Sequence, residues 1–260
     1  MRDAKWKWAA AIALTLMRGG PAKALVGPAR RETSAPAHVA MVLDRAGDRA
    51  GFCSAAVISR DVLLTAAHCV TRAADMRIFY RTAKGAPMFV PVAALARDPG
   101  YRPNAIRRRE RSIDLALVRA AQPLPDAFAP ISIGHSRTMK VGERFLIEGF
   151  GVAREGAPQT SGILRAGVVA AQAPLSRVLL WASDPDHRGL GACQGDSGGP
   201  VLTRDGSQIV AIMDWASGKG GGRCGALTQA TLVAPRQAWI ERVMRSWSAL
   251  RNRTQEHSAR

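Results

Sequence analysis

The chain has 260 residues, 47% hydrophobic and 22% charged, with a formal net charge of +17. That length suits one sizeable globular domain or two small β-barrels sharing a core. The charge excess speaks to solubility and acidic partners; with no Lys/Arg stripe interleaved with aromatics, nucleic-acid binding is the weaker reading. Arg2, Lys5 and Lys7 form a basic start. Residues 9–17 are apolar but too short to span a bilayer, and Ala22-Lys23-Ala24 fits a small-x-small cleavage site. Residues 1–24 therefore read as a secretory signal cut before Leu25; the competing reading is a buried N-terminal helix. Without them, 32 basic and 19 acidic residues remain, a net +13. Export, to the periplasm or the medium, allows the four cysteines to pair. No later stretch is apolar enough for a membrane span, so no membrane contact is expected after signal removal.

Short apolar segments follow, separated by Gly and Pro clusters. Ala55-Ala56-Val57-Ile58, Ile78-Phe79-Tyr80, Leu115-Ala116-Leu117-Val118, Phe145-Leu146-Ile147 and Ile209-Val210-Ala211-Ile212-Met213 read as strands. Many short strands without helical spacers predict an all-β sandwich or barrel. The charged run at 107–111 reads as a solvated loop and 218–222 as a glycine-rich loop. After Pro235, Trp239, Ile240, Val243, Trp247 and Leu250 recur at helical spacing, which predicts a docked terminal helix. Residues 251–260 read as a frayed polar tail.

The chemistry concentrates at Gly195-Asp196-Ser197-Gly198-Gly199-Pro200, a serine on a tight glycine turn. Nucleophilic acyl transfer needs a base and an acid beside the hydroxyl. Of five histidines, His68 in Leu64-Thr65-Ala66-Ala67-His68-Cys69 is the candidate base. Asp114, a lone carboxylate ahead of an apolar strand, is the candidate acid, because a histidine partner explains a costly position. The sequence also satisfies the Gly-x-Ser-x-Gly pattern of α/β-hydrolases. Those enzymes run Ser, acid, His; here only His257 follows Ser197, and Pro200-Val201-Leu202 reads as a strand, so that reading fails.

These motifs, with Cys193-Gln194 ahead of the serine turn, resemble the trypsin/chymotrypsin family of serine peptidases over roughly residues 25–250. The resemblance implies two antiparallel six-stranded barrels with the active site between them and a C-terminal helix, the subdomain boundary falling near 125–140. It implies a serine endopeptidase using His68, Asp114 and Ser197, with the Gly195 and Ser197 N–H groups as the oxyanion hole. It pairs Cys53 with Cys69 and Cys193 with Cys224; the family's other bridges are absent, as in a pared-down bacterial member. Leu25-Val26-Gly27 resembles the family's activating terminus, so a freed Leu25 amine would pair with Asp196, although Pro28 stands where the family has a second Gly. Gly191 occupies the floor of the specificity pocket, with Ala216 and Thr228 on its walls. That arrangement argues against Arg or Lys and for small or medium apolar residues at the cleaved position. Asp214 stands where the family has Ser and brings a second carboxylate toward Asp114. It is protonated, turned away, or damaging. The expected enzyme is a monomer acting on proteins or peptides, with no cofactor and no metal. The competing readings are a non-catalytic homologue that binds partners through its basic surface, and an esterase using the same triad.

Overall fold

The computed structural model describes residues 25–33, 37–46, 49–108, 110–136 and 138–258. The expected signal segment, residues 1–24, lies outside them. An edge strand β1 (Arg30–Arg31) precedes six strands: β2 (Val39–Ala46), β3 (Arg49–Val57), β4 (Val62–Thr65), β5 (Met76–Arg81), β6 (Pro87–Arg97) and β7 (Ala116–Ala120). A one-turn helix, α1 (Ala105–Arg108), lies between β6 and β7. The six close into an antiparallel barrel in the order β2-β3-β4-β7-β6-β5. After a short β8 (Ser132–Ile133) come β9 (Arg144–Gly149), β10 (Arg165–Ala171), β11 (Leu179–Ser183), β12 (Pro200–Leu202), β13 (Gln208–Ser217) and β14 (Leu227–Leu232). These six form the second barrel, closed where β9 pairs with both β10 and β12. β1 adds to the outer edge of β10, and β8 runs parallel to β13. The expected all-β, two-barrel architecture is what the chain adopts.

Burial follows the alternation of the strands. In β5, Met76 and Ile78 are buried while Arg77 faces water. β4 is buried on both faces. Leu63 packs inside the first barrel, whereas Val62 and Leu64 join the core between the barrels. That shared core takes Leu115 and Leu117 from the first barrel and Leu146, Leu202 and Ile212 from the second. Its lid is α2 (Gln237–Ser258), which contributes Trp239, Ile240 and Trp247. Burying each such side chain contributes about 1.5–3 kcal/mol, so the predicted apolar stripe accounts for the docking. The helical backbone runs on to Ser258, through most of the stretch expected to fray. Among the described residues no helix is long and apolar enough to cross a membrane.

Three covalent or ionic ties position the loops between the barrels. Cys53–Cys69 closes a loop of 16 residues and Cys193–Cys224 one of 31. Loops of those lengths are worth about 3 and about 4 kcal/mol in a chain-entropy account. The third tie is Arg236, which holds buried Asp98 through two charge-assisted bonds of 2.7 and 2.9 Å. It anchors the entry to α2 against the segment that leads to Asp114.

Candidate active site

Each candidate residue is placed by its own element. His68 sits in a 3₁₀ turn (Ala67–Cys69) directly after β4. Asp114 lies just ahead of β7, whose pairing with β4 brings it alongside. The Asp114 carboxylate makes two bonds there. Oδ2 lies 2.7 Å from His68 Nδ1, and Oδ1 accepts the His68 backbone N–H at 2.9 Å. The pair fixes the ring on its Nδ1 side, and Nε2 lies 3.6 Å from Cys69 Sγ. Burial pushes the His68 pKa down, but the hydrogen bond and charge of Asp114, with a further contribution from Asp214, leave it raised overall.

The turn that carries Ser197 is held by a clamp on β3 that the sequence does not announce. Ser54, in β3, is fully buried. Its N–H donates to the Ser197 carbonyl at 2.9 Å, and its hydroxyl donates to the Gly195 carbonyl at 2.9 Å. The same hydroxyl accepts the Phe150 N–H at 3.0 Å. Ser54 follows Cys53, which is bonded to Cys69 beside His68. The nucleophile turn and the histidine turn are thus tied to one strand. Gly198 packs so tightly on β4 that a Cβ there would fall 2.0 Å from Thr65 Oγ1. Gly195 has φ +92°, and a Cβ on it would meet the Phe52 ring at 2.4 Å. Both glycines are required by space, which is the physical content of the motif.

Asp196 points away from Ser197 into the second barrel and is fully buried. Its carboxylate oxygens accept the N–H groups of Gly151 (2.8 Å) and Cys193 (2.9 Å). Burial pushes its pKa up to about 7, against the opposing pull of those two amides and of the Arg165 charge. Leu25 is also fully buried, and the next residue, Val26, exchanges backbone hydrogen bonds with Gly191 at 3.1 and 3.3 Å.

Of the residues expected to form a specificity pocket, Ala216 of β13 lies directly opposite Thr228 of β14. A Cβ on Gly191 would come within 3.3 Å of Thr228 Oγ1, and that oxygen accepts the Ala192 N–H at 3.0 Å. The turn leading to Gly191 is organised by Asp184, which accepts the N–H groups of Asp186, Arg188 and Leu190. The three candidate pocket residues therefore face one another.

Asp214 occupies a bulge. The β13–β14 register slips between Met213 and Trp215, and such slips re-aim the extra side chain. Its carboxylate turns onto β14 and accepts Thr231 Oγ1 at 2.6 Å and Gln229 Nε2 at 2.9 Å. Gln229 is in turn held by Trp181 Nε1 at 3.1 Å. Burial, then the Asp114 charge, push Asp214 up to about 7, although both hydrogen bonds favour its ionised form.

A cleft of ≈ 680 Å³ opens beside His68 and Asp114, lined also by Leu179, Trp215, Arg102 and Arg107. Two residues of the charged run, Arg107 and Glu110, thus line this cleft, and α1 carries the first of them. Cys53 and Cys69 lie near His68, but both sulfurs are in a disulfide and cannot ligate a metal.

Two closed six-stranded barrels with a histidine–carboxylate pair and a glycine-bound serine between them define a chymotrypsin-type fold. Residues 25–240 match the Trypsin family, and the chain belongs to it. It is a serine endopeptidase of that family. A trypsin of Sarcophaga bullata is 27% identical over 205 residues, 72% of this chain and 77% of the relative. Trypsin epsilon of Drosophila erecta is 28% identical over 237 residues, 82% and 86% of the two chains. Among solved structures, mouse-brain neuropsin, a serine protease, aligns with a TM-score of 0.64 at 21% identity, over 82% of this chain and 98% of that one. The human heparin binding protein aligns with a TM-score of 0.65 at 18% identity, over 85% and 97%.

Proposed function

We propose that this chain is an exported endopeptidase that hydrolyses peptide bonds through Ser197, His68 and Asp114 and an acyl-enzyme intermediate. Ser197 Oγ attacks the carbonyl carbon while His68 Nε2 takes its proton. The imidazolium is held by Asp114 across Nδ1. The carbonyl oxygen, now negative, is met by the N–H groups of Gly195 and Ser197. His68 then protonates the departing amine, and water repeats the sequence in reverse to release the acid. The observation that carries the reading is the pair of hydrogen bonds between His68 and the Asp114 carboxylate, with 2.7 Å at the ring.

Gly191, Ala216 and Thr228 support a preference for Ala- or Val-sized residues at the cleaved position. No anion lies among these three, so a buried Arg or Lys would go unpaired there. On a panel of chromogenic peptides, cleavage after Ala is expected to exceed cleavage after Arg by about 10²-fold or more, the scale set by a buried unpaired charge. Faster cleavage after Arg would overturn the assignment.

Activation follows the same logic. Leu25 is already seated inside the second barrel beside Gly191, and Asp196 is fully buried as well. Cleavage before Leu25 by a signal peptidase supplies an ammonium for Asp196 with no separate activation step. N-terminal sequencing of the exported protein is expected to begin at Leu25, and any other start removes this route.

A further inference from the structure

We propose that Arg165 is a built-in counter-charge for Asp196, which holds the nucleophile turn in order before Leu25 is freed, so that the uncleaved chain is already an active peptidase. The inference rests on the peptidase reading above and concerns the regulation of that site.

The pairing follows from β-sheet register. Asp196 enters the second barrel through space left by two glycines. A Cβ on Gly149 would lie 2.2 Å from Asp196 Oδ1, and one on Gly151 would lie 2.5 Å from Oδ2. In the β9–β10 ladder, the residue directly opposite Gly149 is Arg165. Opposite residues of an antiparallel pair share a face, with Cβ positions about 4.5–5.5 Å apart. Arg165 therefore leaves its strand on the face that Asp196 enters, across from the missing side chain.

Arg165 is an unusual occupant of that position. It is only 3% exposed, and its Nε has no hydrogen-bond partner among the described residues. Its neighbour on the other side of the ladder is Arg31, a like charge. A buried guanidinium with an unmade hydrogen bond beside a second arginine is costly. The compensating charge is Asp196. Among the described residues no ion pair of 4 Å or less joins Arg165 to Asp196, so Arg165 acts on Asp196 through its charge across the Gly149 gap. The long side chain is a positioning residue: it touches neither substrate nor Ser197, and acts through Asp196 on the Gly195–Ser197 amides.

In an uncleaved chain the residue at Leu25 carries an amide, so no terminal ammonium can serve Asp196. A resident cation keeps the carboxylate inside and the oxyanion donors aligned. Release of Leu25 then adds a second cation to a site that is already formed.

Two forms of the protein test this, one beginning at Leu25 and one beginning at Ala22, each with Arg165, Arg165→Gln or Arg165→Lys. Folding is checked by thermal melting, and kcat and KM are read separately on an Ala-ending peptide, with fluorophosphonate labelling alongside. The Ala22 form with Arg165 is expected to be active. Arg165→Gln should lower its kcat by about 10²-fold, the effect of losing an oxyanion donor, with KM little changed. The same substitution in the Leu25 form should change kcat within about twofold, as for an uncoupled site. Arg165→Lys should restore the Ala22 form. Equal losses in both forms, no loss in the Ala22 form, or an inactive Ala22 form with Arg165 intact would overturn the inference while leaving the peptidase reading in place. Inactivity of both forms with Arg165 intact would overturn the peptidase reading and this inference with it.

Discussion

Ser197→Ala is expected to lower kcat on the order of 10⁶-fold, with no change in melting temperature. The nucleophile turn is held by groups this substitution leaves alone. The Ser54 N–H bonds the residue's carbonyl, its hydroxyl bonds Gly195, and the Cys193–Cys224 bridge closes the loop. Only Oγ is lost, and with it the covalent step. Asp114→Asn should cost on the order of 10⁴-fold near neutral pH. Its amide would keep the His68 backbone bond but present the wrong partner to Nδ1, leaving the imidazole in an unproductive tautomer. A fluorophosphonate probe should label the natural chain and fail on Ser197→Ala. Equal labelling of both would remove Ser197 as nucleophile. No labelling of a folded chain starting at Leu25 would favour a binding protein built on a peptidase fold.

What could be read from the sequence were residues whose type is demanded by chemistry or by space. Ser197, His68 and Asp114 stand out because few residue types do acyl transfer, and their order excluded the competing hydrolase fold. The strand alternation and the apolar stripe of α2 were readable because each is a local period. Ser54, Arg165 and Asp98 were not, for a common physical reason. Ser54 is one small polar residue in an apolar strand until the fold brings Gly195 and Phe150 to it. Arg165 looks like a surface cation until the β9–β10 register sets it opposite Gly149. Asp98 looks like a turn residue until Arg236, 138 positions away, is found paired with it. Charge complementarity across such distances leaves no local pattern. Arg107 and Glu110 show the converse: the composition around them indicated exposure, and only the fold shows that these two line the cleft.

Asp214→Asn is expected to flatten the pH dependence of stability and shift the activity profile toward acid. Asp214 and Asp196 both titrate near pH 7 when folded, against an ordinary carboxylate value of 3.8. Between those limits the folded chain holds protons that the unfolded chain has released. The contribution of these two groups is therefore fully present below about pH 4, falls as pH rises through 7, and is level above it. Each group accounts for about 4 kcal/mol of that fall. Asparagine does not titrate, so Asp214's share disappears while that of Asp196 remains. The amide oxygen can still accept from Gln229 and its NH₂ can donate to Thr231, so the cost of disturbed hydrogen bonding is about 1–3 kcal/mol. Measured on a Ser197→Ala background to prevent self-digestion, the variant should trail its parent at pH 4 by about 1–3 kcal/mol, the cost of the disturbed hydrogen bonds. At pH 8 it should exceed it by about 1–3 kcal/mol, which for a domain of this size raises the melting point by about 2–12 °C. In the active enzyme, removing the Asp214 charge lowers the His68 pKa, because that charge is one of the contributions raising it. His68 must be neutral to accept the Ser197 proton, so the acidic limb of kcat/KM should move to lower pH and activity at pH 6 should rise. A limb that stays in place would mean that Asp214 is already neutral where His68 titrates, and a melting profile parallel to the parent's would mean that burial does not raise the Asp214 pKa.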